Sequence, residues 1–154
     1  MLSQTVAECV ASLENMPSFV TQSIPTGLGL CRPLVLENIV DNFVHAQSPD
    51  GIAWPERKRI GDGHPLLVET HTADAGSLFN AATGKGRGHI DRIEENVLVI
   101  GVDKSVKGGG IPGAGVHNYG FPAKQREFLG IGQETTDECV ELFADQLLKD
   151  CWEK

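Results

Sequence analysis

The chain has 154 residues, a length that indicates one domain, and its 40% apolar and 22% charged residues are ordinary for a globular protein. Its formal charge of −8, from 21 acidic and 13 basic residues, is unfavourable for binding to nucleic acid or to an anionic membrane. The N-terminal residues lack the layout of a signal peptide, and no apolar run approaches the roughly 18 residues that span a bilayer. We therefore expect no contact with a membrane.

The first part of the chain predicts a helical arm followed by a linker. Residues 3–16 carry an apolar stripe at helical spacing, made of Val6, Cys9, Val10 and Leu13. Pro17 is expected to end this helix, and the prolines and glycines that follow favour a linker up to residue 31. The sequence thus predicts two parts, an N-terminal helical arm and linker over 1–31 and a single α+β domain over 32–154.

A second helix is predicted from Pro33, because proline is tolerated in a first helical turn. Its apolar residues follow the helical period: Leu36, Ile39, Val40, Phe43 and Val44. The helix should end before Ser48-Pro49-Asp50-Gly51, which is typical of a tight turn, and the turn should bring Trp54 back onto this helix or onto the sheet. The basic cluster Arg57-Lys58-Arg59 is interpreted as a solvated face rather than as a contact with DNA or an acidic neighbour.

The middle of the chain predicts short elements of both types. Leu66-Leu67-Val68 indicates a strand, residues 73–82 a short helix with Leu78 and Phe79 inward, and residues 83–88 a glycine-rich loop. Residues 89–93 and 97–102 predict a hairpin joined at residues 94–96. Because residues 97–100 are apolar on both faces, we expect a central strand that is covered on both sides.

The C-terminal part predicts a long glycine-rich surface loop over 103–115, a last strand over 126–131 and a final helix capped by Thr135 or Thr136. One face of that helix is expected to be apolar: Val140, Phe143, Ala144, Leu147, Leu148 and Cys151. Helices and strands without regular alternation indicate an α+β fold. We expect a mainly antiparallel sheet packed with a long central helix and the C-terminal helix.

Catalytic and metal-binding patterns are weak in this sequence. The five histidines lack the spacing that places two ligands on one helical face, and a formal GxGxxG at Gly108, Gly110 and Gly113 contains Pro112 and opens no βα unit. There is no GxSxG segment, and the four cysteines lack a nearby basic partner, which favours free thiols in a reducing cytosol. We expect no catalytic, cofactor-binding or metal-binding residue and no enzymatic activity. A small cytosolic enzyme, or a ligand-binding module, with 103–115 as a lid stays an alternative.

Three short segments, taken in order, resemble a known family. The first is Ser48-Pro49-Asp50-Gly51-Ile52-Ala53-Trp54-Pro55 at the end of an amphipathic helix, the second is Val116-His117-Asn118-Tyr119-Gly120, and the third is Arg126-Glu127-Phe128-Leu129-Gly130-Ile131 before the C-terminal helix. Their order and spacing resemble those of the phage virion morphogenesis proteins, the Mu-like tail completion group, over roughly residues 34–153.

The resemblance implies a structural protein of the neck or upper tail of a tailed phage or prophage. Such a protein assembles as a ring, with a hexamer expected, beside neck, connector or tail-tube proteins, and DNA passes through the ring without specific binding. It would be found in the virion and, during assembly, in the host cytoplasm. The resemblance marks the motif residues as structural or interface candidates: Pro49, Gly51, Trp54, His117, Tyr119, Gly120, Arg126, Phe128, Leu129 and Gly130.

Overall fold

The computed structural model describes residues 6–56, 67, 78–103, 106–108, 111–112, 114–120 and 124–152. The fold is α+β and mostly helical, with a long helix packed against the C-terminal helix and a two-stranded antiparallel hairpin beside them. The elements in chain order are α1 (Val6–Val44), α2 (Leu78–Ala82), β1 (His89–Glu94), β2 (Val97–Val102), β3 (Lys107–Gly108), β4 (Ile111–Pro112), α3 (Ala114–Tyr119) and α4 (Gln133–Trp152). None of the helices in the described part of the chain combines the length and apolar character needed to cross a bilayer.

Helix α1 is one continuous helix of 39 residues, so the expected stop at Pro17 and the expected linker over 17–31 are wrong. The helix continues because its second half packs on α4. A Cβ atom at Gly27 would overlap the Phe143 ring, and the Ser23 hydroxyl donates to the Asp150 carboxylate. Contacts of this kind outweigh the poor helix propensity of glycine and proline, which is only about 1–3 kcal/mol per residue. The division of the chain at residue 31 into an arm and a domain stays a prediction.

The C-terminus of α1 and the turn after it follow from local chemistry. Ala46 adopts a left-handed conformation (φ 50°), and the Gln47 N–H donates to the Asn42 carbonyl at 2.9 Å, which is a Schellman end. The Gly51 N–H then donates to the Ser48 carbonyl at 2.9 Å, with Gly51 itself at φ 77°. The predicted turn over 48–51 is therefore confirmed, and it sends the chain back along α1.

The predicted hairpin is also confirmed, with β1 one residue longer than expected. Glu94 pairs with Val97, so the turn contains only Glu95 and Asn96, at φ 45° and 67°, as a type I′ turn requires. Among the described strands, however, β2 pairs with β1 alone, and Val97 is 56% exposed. The expectation of a central strand covered on both sides is therefore wrong for this part of the chain.

An ion pair joins the hairpin to the long helix. Arg32 Nε on α1 lies 2.9 Å from Asp91 Oδ1 on β1, and both side chains are partly exposed. An exposed pair of this kind contributes little to stability, about 0–1 kcal/mol, but it fixes the orientation of the hairpin on α1.

The remaining middle elements are confirmed in part. Helix α2 places Leu78 in the core with no exposed surface, and Phe79 packs against that core, as predicted. Residues 73–77, Leu66, Val68 and the basic cluster 57–59 lie outside the described residues. Leu67 is buried in a turn with φ 61°, which does not fit the predicted strand. Residues 83–88 form the predicted turns without a helix or strand.

The described residues of 103–115 contain more secondary structure than the predicted loop. The short strands β3 and β4 pair with each other, α3 already begins at Ala114, and Val106 is buried in the core. An apolar residue at position 106 fixes this segment to the core. The prediction missed that anchor because it weighed only the glycine content.

Two C-terminal predictions are wrong in detail. Residues 126–131 form no strand in the structure, because their hydrogen bonds go to α3 and to side chains instead of to a sheet. Helix α4 begins at Gln133 rather than after a threonine cap, and the Thr136 hydroxyl donates to the Gly132 carbonyl at 2.9 Å. Val140 and Leu148, expected on the buried face, are 62% and 57% exposed. Phe143 meets α1 as predicted, Ala144 is exposed, and Cys139, which was not predicted, also meets α1.

Candidate functional site

The three segments that resemble the virion morphogenesis motifs meet at one place in the fold. We call this place the junction and define it by residues 46–55, 114–120 and 124–132 together with Asn42 and Phe43 of α1. Its centre is aromatic. The Phe43 ring lies edge-on to Trp54 at 5.6 Å between centroids and contacts Phe128 at 5.2 Å. All three rings are buried, with Trp54 6% exposed and Phe128 fully buried, so this is a packed core rather than an open cleft.

The first and third segments are joined by two side chains that donate to backbone carbonyls. Trp54 Nε1 donates to the Glu127 carbonyl at 2.9 Å. In the opposite direction, Arg126 donates from Nε and Nη2 to the Pro55 carbonyl at 3.3 and 3.1 Å. The expected packing of Trp54 on the helix is confirmed. The crossed arrangement holds the two segments side by side without a strand ladder.

The second and third segments are joined mainly by Asn118. Its side-chain Oδ1 accepts hydrogen bonds from the Phe128 and Leu129 N–H groups at 3.0 and 2.9 Å. The Arg126 N–H donates to the His117 carbonyl at 2.7 Å. Asn118 and His117 are both buried, so these bonds are shielded from water and each is expensive to lose. Helix α3 therefore serves as an anchor for the extended residues 126–129.

The turn of the first segment packs closely against the residues just before α4. A Cβ atom at Gly132 would overlap the Pro49 carbonyl oxygen, and one at Gly130 would lie 2.9 Å from the Pro49 ring. Gly130 also has φ 148°, a conformation that L side chains rarely adopt. The two glycines are needed because the backbone approaches Pro49 more closely than a side chain would permit.

The ten candidate residues from the sequence all lie in the junction but differ in exposure. Trp54, His117 and Phe128 are buried. Partly buried are Pro49, Gly120, Arg126 and Leu129. The exposed candidates are Gly51, Gly130 and Tyr119, and the Tyr119 side chain is 80% exposed. The buried members therefore hold the junction together, whereas the Tyr119 side chain is exposed to solvent.

Sequence reasoning missed several residues on which the junction depends. Asn118 stood inside the second motif but was not singled out, and Asn42 donates from Nδ2 to the Phe128 carbonyl at 3.4 Å while fully buried. A signal existed for Asn42, because a polar residue stands beside Phe43 in the apolar stripe of α1. The carbonyls of Pro55 and Glu127 had no signal, since any residue supplies a backbone carbonyl.

An apolar groove of about 440 Å³ lies next to the junction, between α1, the tip of the hairpin and the start of α4. Its lining residues are Leu28, Cys31, Val35, Ile39, Asn96, Val97, Leu98, Ile100, Leu129, Gly130, Ile131 and Cys139. Burial raises the pKa of Cys139 from 9.0 to about 11, and a hydrogen bond with the Cys31 thiol adds to the shift. No described residue of 103–115 lines this groove.

Groups of acidic, histidine and cysteine side chains that could hold a metal ion are absent from the part of the chain that the structure describes. The contacts that hold the junction together are made by backbone carbonyls, aromatic rings, the Arg126 guanidinium and the side-chain amides of Asn42 and Asn118. Comparison of the chain with protein-family models, with curated proteins and with solved structures found no match.

Proposed function

We propose that this protein is a structural component of the neck or tail-completion complex of a tailed phage or prophage. It would form a ring, with a hexamer expected, that joins head and tail and lets DNA pass without specific binding. Its place would be the virion, and the host cytoplasm during assembly, with no catalytic role. The proposal includes a mainly antiparallel sheet, of which the described hairpin would be a part. It also includes an N-terminal arm over 1–31.

The observation that carries the proposal is the convergence of the three motif segments. They are separated by 60 and 5 residues in the chain, yet their side chains and carbonyls bond to one another. Trp54 of the first segment reaches Glu127 of the third, and Asn118 of the second reaches Phe128. Their joint packing supports the interpretation of the three segments as one structural unit.

Exposed apolar side chains support assembly with other subunits. At the junction, Tyr119 is 80% exposed and Ile52 is 69% exposed. Burying such side chains at an interface contributes about 25 cal/mol per Å² of apolar surface. A ring needs a heterologous interface, in which one surface of a subunit meets a different surface of the next.

The acidic character of the chain suits a channel through which DNA slides. Basic contacts with phosphates release counterions and generate affinity, which would hinder passage. Helix α4 carries Glu134, Asp137, Glu138, Glu141, Asp145 and Asp150 against one base, Lys149. A wall built from such a helix would repel the DNA backbone. We propose this helix as the candidate for the channel lining.

The deciding experiment is electron microscopy of particles made without this protein. We expect full heads and separate tails, with joining restored when the protein is supplied in trans. Tyr119→Ala should fail to restore joining, whereas the matched Tyr119→Phe should succeed because it keeps the ring. Both variants should melt like the parent, since the side chain is exposed. If heads and tails join normally without the protein, the proposed function is wrong.

A further inference from the structure

The two cysteines in the groove stand at facing positions of the α1–α4 pair. Along this pair, Ser23 meets Asp150, Gly27 meets Phe143, and Cys31 meets Cys139. The numbers rise on α1 as they fall on α4, so the helices run antiparallel. We call this line of contacts the seam. The cysteines occupy the contact of the seam that is nearest the groove.

Several observations describe the chemical state of this pair. Both are free thiols, with Cys31 buried and Cys139 partly exposed. Cys31 Sγ donates to the Cys139 carbonyl at 3.5 Å, which places the Cys31 sulfur against the backbone of Cys139. The groove that both residues line gives a small molecule a route from solvent to the sulfur atoms.

We propose that Cys31 and Cys139 form an oxidation site that closes to a disulfide by exchange with a low-molecular-weight disulfide of the glutathione class. The thiolate of Cys139, the more exposed of the two, attacks one sulfur of the oxidant and releases one thiolate, which takes up a proton. The Cys31 sulfur then attacks the mixed disulfide at Cys139 and releases the second thiol. The protein loses two protons and two electrons in total, and the small disulfide takes up both and becomes two thiols.

The position of the pair in the chain makes this link strong once formed. The cysteines are separated by 108 positions, so the disulfide would close a long loop and restrict the unfolded chain. For a loop of this length, the link favours the folded state by roughly 1000-fold. By the same thermodynamic cycle, folding favours the link by an equal factor. In a reducing cytosol the pair stays a dithiol, and it closes on transfer to an oxidising compartment.

The test uses the full chain with Cys9→Ser and Cys151→Ser, which leaves only the proposed pair. The protein is equilibrated with mixtures of reduced and oxidised glutathione, folded and in urea, and the disulfide fraction is measured by mass spectrometry after acid quenching. We expect the folded chain to reach half oxidation in a buffer roughly 1000-fold more reducing than the unfolded chain requires. Equal midpoints would overturn the proposal.

Thermal unfolding gives a second readout. The oxidised protein should melt roughly 10 °C higher than the reduced one, and dithiothreitol should reverse the shift. Cys31→Ser in the same background is the matched control, since it can take up glutathione at Cys139 but cannot close the link. If the double variant does not fold, peptide mapping of the oxidised wild-type chain decides. A 31–139 link supports the proposal, and links only to Cys9, Cys151 or glutathione overturn it.

Discussion

Removing the Trp54 side chain is the sharpest test of the junction, because this one residue joins α1 to the third segment. Its ring is edge-on to Phe43, and its Nε1 donates to the Glu127 carbonyl at 2.9 Å. Truncation of a buried tryptophan to alanine costs about 3–5 kcal/mol. Trp54→Phe keeps part of the ring contact but leaves the Glu127 carbonyl without this donor, which costs about 1–2 kcal/mol.

The measurement is unfolding in urea, followed by circular dichroism. We expect the free energy of unfolding to fall most for Trp54→Ala and by an intermediate amount for Trp54→Phe. Ile52→Ala is the matched control, because Ile52 lies in the same turn but is 69% exposed, and its truncation should cost less than about 0.5 kcal/mol. If the free energy of unfolding of Trp54→Ala lies within about 1 kcal/mol of the parent value, the junction does not stabilise the fold.

Three further predictions test the other contacts. Asn118→Leu should destabilise by roughly 2–4 kcal/mol, because it leaves two buried N–H groups without their acceptor, whereas Gln125→Ala should cost under about 1 kcal/mol; similar urea midpoints for the two would refute this. Gly27→Ala should lower the melting temperature by displacing the Phe143 ring, and Gly29→Ala, which meets nothing within 4 Å, should raise it; the same sign for both would refute the close approach. Alkylation of Cys139 by iodoacetamide should accelerate about tenfold per pH unit from pH 7 to 10, because its raised pKa of about 11 leaves little thiolate at neutral pH. Because folding raises the pKa of Cys139, the protonated thiol contributes to the free energy of unfolding below pH 9.0, and this contribution is lost as the pH rises towards about 11. An alkylation rate that levels off near pH 9 would contradict the raised pKa.

Features set by neighbouring residues were predictable from the sequence. The turn at 48–51 has proline and glycine at the positions that its backbone requires. The hairpin could be recognised from two apolar runs and a short polar turn, although the residue that ends β1 was missed by one. Helix α2 and its inward Leu78 followed from the apolar spacing. In each case the local sequence and the final fold favour the same structure.

Features set by contacts between distant residues were not predictable in this way. The 126–131 segment has the composition of a strand, yet Asn118 accepts the hydrogen bonds that a neighbouring strand would have accepted. On α4, the apolar pattern alone could not rank Val140 against Cys139, because both lie within one broad stripe. The packing of α1 decides which of the two is buried, because Cys31 of α1 contacts Cys139 and Val140 stays exposed.

Gly27 of α1 and Gly132, just before α4, explain why a segment with the composition of a linker forms part of a continuous helix that packs closely on its neighbours. Gly27 was interpreted as a sign of flexibility, but its missing Cβ is what lets α1 approach the Phe143 ring. Gly132 has the same role against Pro49, so α4 is held at its start by the turn and along its length by α1. Because α1 has no break between Gly27 and Phe43, the seam and the junction belong to one stiff pair of helices. In the ring that we propose, a neighbouring subunit that docks at the exposed Tyr119 would therefore contact a unit that includes both helices.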